Sequence, residues 1–152
     1  MRTDLLLLAP LARLADLALL LLRAVTGAFL VYQSHDNIFS TGRMEEFEKF
    51  LVQFNFPLPE LMAPLCVWAQ FLCGTAFILG LLTRWAGLVT AFVFVVAVWM
   101  VHWPQDFPGW WPALILIFLG LLFATGGAGR YSIDRLIERR NDRNRGKAAF
   151  PR

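Results

Sequence analysis

Four long apolar runs constrain this chain more than any other feature of its 152 residues. They cover about residues 14–33, 61–82, 85–103 and 111–127. Each run is close to the ~20 residues that a helix needs to cross a hydrocarbon core about 30 Å thick. In lipid, only helices and closed barrels satisfy every backbone hydrogen bond, and these runs are too long for barrel strands. The sequence therefore predicts an all-α fold, an integral membrane four-helix bundle.

The composition excludes several other classes of protein. Hydrophobic residues make up 58% of the chain and charged residues only 16%, whereas soluble domains have about 25% charged residues. This balance argues against a disordered chain, a disulfide scaffold and a coiled coil. The net charge of +3 does not indicate a nucleic-acid-binding protein, because eight of the fourteen basic residues follow Gly129. We therefore expect no nucleic acid partner.

The charges of the connecting segments alternate along the chain. Basic residues lie before the first run, between the second and third, and after the fourth. Residues 36–60 are mainly acidic, and Asp106 is the only charged residue between the third and fourth runs. By the positive-inside rule, both termini are expected to lie in the cytoplasm, and the four runs make the protein a multi-pass membrane protein. Residues 1–137 would form the transmembrane domain, and residues 138–152 a basic cytoplasmic tail.

A shorter helix is predicted between the first and second runs. Its apolar residues recur at three- and four-residue spacing: Met44, Phe47, Phe50, Leu51 and Phe54. This pattern indicates a short amphipathic outer-loop helix on the membrane or the bundle, ended by the prolines that follow it. It would either pack at the interface or cover a substrate site.

Arg23 is a charged residue inside the first apolar run. A charge at this depth costs several kcal/mol unless it is paired, and it usually faces the bundle interior. Gln70 of the second run lies at a similar depth, so we expect it to contact Arg23. An amide cannot neutralise the guanidinium, which leaves room for Asp16, a helix carbonyl, or an anionic or carbonyl-bearing ligand. The alternative is that Arg23 extends to the inner face or simply joins the first two helices.

Two histidines and a tryptophan lie near the outer ends of the first and third runs. His35 and His102 could flank a quinone head group, and Trp99 is the aromatic candidate close to His102. The candidate ligand-binding residues are thus Arg23, Gln70, His35, His102 and Trp99. No third ligand accompanies the histidines at metal-like spacing, so no metal site is predicted. The simpler alternative is that the histidines form ordinary interfacial hydrogen bonds and that the tryptophans anchor the protein at the membrane surface.

The two cysteines, Cys66 and Cys73, lie seven residues apart in the second run. Two helical turns separate them by roughly 10 Å along the axis, which is too far for an undistorted disulfide. They are predicted to be free thiols that pack as small hydrophobic residues. A redox-active dithiol is the alternative.

Several segments together resemble one known family. Arg23 is followed by Gly27-Ala-Phe-Leu, the turn after the second run reads Leu79-Gly80-Leu-Leu-Thr83-Arg84, and the fourth run ends in Gly127-Ala-Gly129-Arg-Tyr-Ser132-Ile-Asp134. With these motifs, residues 17–137 resemble the DoxX family of small four-helix bacterial membrane proteins. The chain departs from the family pattern in having Gln70 where a glutamate is usual, and His35-Asp36-Asn37 where glycine and lysine are usual.

The resemblance implies a multi-pass protein of the bacterial inner membrane, with both termini in the cytoplasm and a role near the quinone pool. Similar proteins include the DoxD-like small subunit of thiosulfate:quinone oxidoreductase. We therefore expect a subunit of, or accessory to, a quinone-linked membrane oxidoreductase, with a quinone as the expected cofactor. The expected partners are membrane lipid, a soluble or membrane-bound oxidoreductase, and a second copy of the chain. The alternative is a non-catalytic membrane scaffold that recruits a soluble partner or anionic lipid through residues 135–152.

Overall fold

The computed structural model describes residues 9–148, which contain six α-helices and no β-strand. The helices are α1 (Ala15–Phe39), α2 (Thr41–Gln53), α3 (Pro59–Leu79), α4 (Thr83–Ala97), α5 (Phe107–Gly126) and α6 (Ile133–Ala148). A 3-10 helix over Ala9–Leu14 precedes α1, and a π-helical turn over Val98–His102 extends α4.

Four of these helices, namely α1, α3, α4 with its π-helical turn, and α5, are long and apolar enough to cross a membrane. The predicted all-α membrane bundle is therefore confirmed. The predicted first run ended at residue 33, but α1 continues to Phe39. Its 25 residues span about 37 Å, which is longer than the hydrocarbon core. The last, polar turn of α1 thus extends beyond the apolar layer.

The spanning helices pack as two pairs, α1 with α3 and α4 with α5, and α3 also contacts α4. We call the end of the bundle where α1 begins and α5 ends the terminal end. The opposite end, which carries α2 and the connection between α4 and α5, is the far end. The short helix α2 packs against α3 and α1, which confirms the predicted short helix between the first two spanning helices, while its location on the outer side stays a prediction.

Glycine pairs allow the helices of each pair to approach closely. A Cβ atom on Gly27 of α1 would lie 2.5 Å from the carbonyl oxygen of Gly74 in α3. A Cβ atom on Gly87 of α4 would lie 2.5 Å from the carbonyl oxygen of Gly120 in α5. Small residues at such crossings are typical of helix packing in lipid, where close backbone approach replaces the hydrophobic effect.

The core lies where the two helix pairs meet, mostly in the half of the bundle nearer the terminal end. Leu30, Phe77 and Phe123 are fully buried, and the rings of Phe77 and Phe123 lie 4.8 Å apart. Large apolar side chains cover the outer faces of all four spanning helices, as expected for surfaces in contact with lipid. The bundle therefore has a dense apolar centre between α3 and α5.

Helix α6 was not predicted. It begins within the predicted transmembrane domain and covers most of the predicted basic tail, since it runs from Ile133 to Ala148. Residues 1–8 and 149–152 of these two predicted segments lie outside the described residues. The boundary after residue 137 stays a prediction, as does the cytoplasmic location of both termini.

Candidate functional site

Arg23 is the most deeply buried charged side chain of the described residues, with 1% of its surface exposed. One terminal nitrogen of its guanidinium donates to the carbonyl oxygen of Ala128, and the other donates to that of Tyr131 at 2.8 Å. The expected contact with Gln70 is therefore wrong. Side chains in a helix lean toward its N-terminus, so Arg23 of α1 extends to the terminal end, away from Gln70.

The other expected partner of Arg23 is also engaged elsewhere. The Asp16 carboxylate accepts from the backbone nitrogen of Arg130 at 3.2 Å and lies 3.8 Å from the Arg130 guanidinium. Gly80, with φ of 67°, makes room for Arg23, because a Cβ atom at this position would lie 2.7 Å from the guanidinium. Arg23 thus joins α1 to the loop that follows α5, and not to the second spanning helix as one alternative expected.

Asp134 joins the same loop to the start of α4. Its two carboxylate oxygens accept from the backbone nitrogens of Leu82 and Thr83 at 2.7 and 2.9 Å. Its own backbone nitrogen donates to the carbonyl oxygen of Gly80 at 2.9 Å. Leu82 has a left-handed conformation with φ of 49°, which is uncommon for a residue with a side chain. The Asp134 carboxylate therefore stabilises the strained turn at Leu82 and also caps the N-terminus of α4.

A cleft opens at the opposite end of the bundle. This far-end cleft has a volume of about 540 Å³ and lies between α1, α2, α3 and α4. Most of its walls are apolar: Phe47, Phe50, Leu51, Phe56, Met62, Leu65, Val67, Val89, Phe92, Val93, Phe94, Val96, Ala97 and Val101. Ligand sites in proteins are concave and mainly apolar, with a few converging polar groups. The far-end cleft has this character.

The polar lining of the far-end cleft comes from three helices. Its members are Gln33, Ser34 and Asn37 of α1, Cys66 and Gln70 of α3, and His102. The amide nitrogen of Gln70 lies 3.3 Å from Cys66 Sγ. The Ser34 hydroxyl donates to the Leu30 carbonyl oxygen at 2.7 Å. The Gln70 amide thus donates to a thiol sulfur, which is only a weak acceptor.

His102 reaches the cleft from the π-helical turn that ends the third spanning helix. Wider turns of this kind are rare and frequently occur at functional sites. His102 Nδ1 lies 3.1 Å from Gln105 Oε1. Because a carbonyl oxygen can only accept, Nδ1 carries a proton in this contact. In the neutral ring, Nε2 is then a free acceptor.

The structure brings two of the five predicted ligand-binding residues together. Gln70 and His102 both line the far-end cleft. His35 does not line it, because its ring nitrogens contact the Tyr32 carbonyl oxygen at 2.6 Å and Asp36 Oδ1 at 2.9 Å. Trp99 is 70% exposed and packs on Trp103 with ring centroids 5.6 Å apart. Arg23 lies at the terminal end.

Four polar residues of the cleft were not among the predicted candidates: Gln33, Ser34, Asn37 and Cys66. A signal existed for Cys66, since it lies four residues before Gln70 and such pairs face the same side of a helix. Cys66 and Cys73 are both free thiols, as predicted, but only Cys66 lines the cleft. Among residues 9–148 no three His, Cys, Asp or Glu side chains converge as metal ligands would.

Comparison with known proteins identifies the family. A sequence model described as DoxX matches residues 18–103, which is more than half of the chain. This segment contains α1 from residue 18 onward and all of α2, α3 and α4, and therefore every part of these helices that lines the far-end cleft. No curated protein and no solved structure matches the chain. The helices that build the cleft are thus the part that carries the resemblance, and the protein belongs to the DoxX family.

Proposed function

We propose that this DoxX protein binds a quinone-like ligand in the far-end cleft, as a subunit of or accessory to a quinone-linked membrane oxidoreductase. One observation carries the proposal. An apolar cleft between membrane-spanning helices contains a hydrogen-bond donor, Gln70, and an acceptor, His102, on different helices. Quinones combine an apolar ring and tail with two opposed oxygen atoms, so such a cleft suits them.

Gln70 supplies the donor side of this recognition. Its amide nitrogen now contacts Cys66 Sγ at 3.3 Å. A quinone carbonyl is a stronger acceptor than a thiol sulfur. Replacing the contact between Gln70 and Cys66 by a hydrogen bond from Gln70 to the quinone carbonyl therefore favours binding. The glutamate usual in the family, when ionised, would offer acceptors and no donor. Glutamine at this position therefore suits an oxidised, carbonyl-bearing head group.

His102 supplies the acceptor side. Gln105 engages Nδ1, which leaves Nε2 of the neutral ring able to accept from the hydroxyl of a quinol. Gln105 would act as a positioning residue that fixes the tautomer.

The size of the cleft agrees with the proposal. Its volume of about 540 Å³ lies within the range of about 300–1,000 Å³ typical of small-molecule sites. Helix α2 forms one wall through Phe47, Phe50 and Leu51. This supports the interpretation of α2 as a cover for a ligand site, with its aromatic side chains against the ligand.

The test is direct binding of a short-chain ubiquinone or menaquinone analogue to the purified protein in mild detergent. Gln70→Leu should weaken binding about tenfold, because it removes the donor from a desolvated site. Gln53→Leu is the matched control, since Gln53 is exposed at the end of α2 and does not line the cleft. Unchanged affinity in Gln70→Leu, or equal losses in both variants, would refute the proposal.

A further inference from the structure

A second cleft lies at the terminal end, separate from the far-end cleft. This terminal cleft has a volume of about 550 Å³ and is bordered by the α3–α4 turn, the loop after α5 and the first turns of α6. The spanning helices α4 and α5 start and end here, at Thr83 and Gly126. The terminal cleft is therefore at the level of the lipid head groups.

Arg84 presents part of its guanidinium to the terminal cleft. Its Nη1 atom donates to the carbonyl oxygens of Ala124 and Thr125, at 3.0 and 2.8 Å. The opposite edge of the Arg84 guanidinium is formed by Nε and Nη2. A Cβ atom at residue 127 would lie 3.3–3.4 Å from these two atoms, so the glycine at this position leaves the edge uncovered. Arg84 is thus held in place by one nitrogen while two donors stay open in a fork that suits a phosphate.

Other arginines reinforce the positive charge around this cleft. Arg130 and Arg135 line it with Arg84, and residues 126–148 carry seven basic residues against three acidic ones. The acidic side chains of the lining have partners: Asp134 caps α4, Asp16 contacts Arg130, and Glu138 accepts from Arg135 at 2.9 Å. The Arg135–Glu138 pair is exposed, and such pairs contribute little. A phosphate can therefore compete for Arg135.

Apolar side chains lie next to these arginines. Leu82 and Trp85 line the terminal cleft and are mostly exposed, Trp85 to 68%. Ile137 of α6 lines it from the other side and is exposed to 46%. Tryptophan is enriched at the membrane surface, where its ring contacts both head groups and acyl chains. The cleft thus offers donors for a phosphate and an adjoining apolar wall.

We infer that the terminal cleft binds an anionic phospholipid, with its phosphate at Arg84 and Arg135 and an acyl chain along Trp85 and Leu82. Charge complementarity favours an anionic lipid over a zwitterionic one, because each basic side chain near the membrane surface adds its own attraction to the negatively charged lipid. The exposed apolar wall favours a phospholipid over a soluble phosphate. The inference does not depend on a ligand in the far-end cleft.

Native mass spectrometry of the full chain in mild detergent tests this site. Phosphatidylglycerol and phosphatidylcholine with identical acyl chains are offered at equal concentration, and glycerol phosphate is offered separately. Phosphatidylglycerol should be retained preferentially, and glycerol phosphate should bind far more weakly. Arg135→Gln should lower the affinity for phosphatidylglycerol about fivefold. Arg84→Lys keeps the charge but loses the fork, so it should also bind less.

Arg43→Gln is the matched control. Arg43 is exposed on α2 and pairs with Glu46 at 3.2 Å with the same three-residue spacing as Arg135 and Glu138. It lies at the far end and should not change lipid retention. Equal retention of the two lipids by the unmodified protein would overturn the inference, as would equal losses in Arg43→Gln and Arg135→Gln. Glycerol phosphate binding as tightly as the lipid would show a phosphate site instead.

Discussion

The Arg23 guanidinium donates to the carbonyl oxygen of Tyr131 at 2.8 Å, so one side chain of the first spanning helix holds the segment that follows the last. The same guanidinium also donates to the Ala128 carbonyl oxygen. These carbonyls lie in a loop where no helix supplies them with backbone donors. A buried charge that would otherwise be costly in a membrane is therefore bonded through both terminal nitrogens to loop carbonyls at the terminal end, while its Nε atom has no hydrogen-bond partner among the described residues.

Arg23→Leu should lower the free energy of unfolding by about 3 kcal/mol, because it removes two hydrogen bonds from a charged donor to buried or half-buried acceptors. Arg23→Lys should lose less, since it keeps the charge and one of the bonds. Thermal unfolding in detergent measures both. Quinone binding to folded Arg23→Leu should be unchanged. A loss of binding at an unchanged melting temperature would place Arg23 in the ligand site instead.

Gly27→Ala should destabilise the protein by about 1–3 kcal/mol, because the added methyl group would force α1 away from the backbone of Gly74. Gly126→Ala is the control, since a Cβ atom there has no neighbour within 4 Å. The melting temperatures of the two variants in detergent should therefore differ clearly. If the two variants were equally stable, the close contact between Gly27 and Gly74 would not determine the packing of α1 on α3.

Asp134→Asn should cost about 1 kcal/mol, because the amide keeps one acceptor oxygen for the two backbone donors of Leu82 and Thr83. Asp142→Asn provides the comparison, since Asp142 is exposed on α6. Amide hydrogen exchange at residues 82 and 83 should accelerate in the first variant alone. Unchanged protection of these amides would contradict the capping role.

His102→Leu should weaken the binding of a short-chain quinol about tenfold, since it removes the hydrogen-bond acceptor from the far-end cleft. His35→Leu should bind normally, because His35 lies at the same end of the bundle but outside the far-end cleft. Titration with the reduced ligand measures both affinities. Equal effects of the two substitutions would argue for a nonspecific loss of structure at the far end.

Cys66 should react with N-ethylmaleimide faster than Cys73 does, because Cys66 lines the far-end cleft and Cys73 is buried with 7% exposure. Mass spectrometry of the single-cysteine variants Cys73→Ala and Cys66→Ala gives the two rates. A bound quinone analogue should protect Cys66. If Cys73 reacted first, the cleft would not be the accessible route to the interior of the bundle.

The fold could be predicted because, in lipid, a chain satisfies its backbone hydrogen bonds only as helices or as a closed barrel. Apolar length alone gave the four spanning helices, and helical periodicity gave α2. Helix α6 was missed because residues 133–148 contain no apolar run. Its first turn is positioned by a contact distant in the chain, from the Asp134 backbone nitrogen to the Gly80 carbonyl oxygen. No local pattern encodes such a contact.

The candidate site was only partly predictable, for a related reason. Depth in the membrane suggested that Arg23 and Gln70 meet, but depth ignores the direction in which a side chain leans. In antiparallel helices the side chains lean toward opposite ends, so Arg23 extends to the terminal end and Gln70 to the far end. The π-helical turn that carries His102 could not be predicted either, because a change from α-helical to π-helical hydrogen bonding does not alter the spacing of apolar residues in the sequence.

The fully buried side chains of Leu30, Phe77 and Phe123 separate the far-end cleft from the terminal end. The two ends of the bundle can therefore hold different ligands that do not touch each other. A ligand added at one end would then change binding at the other only by shifting the helices between them.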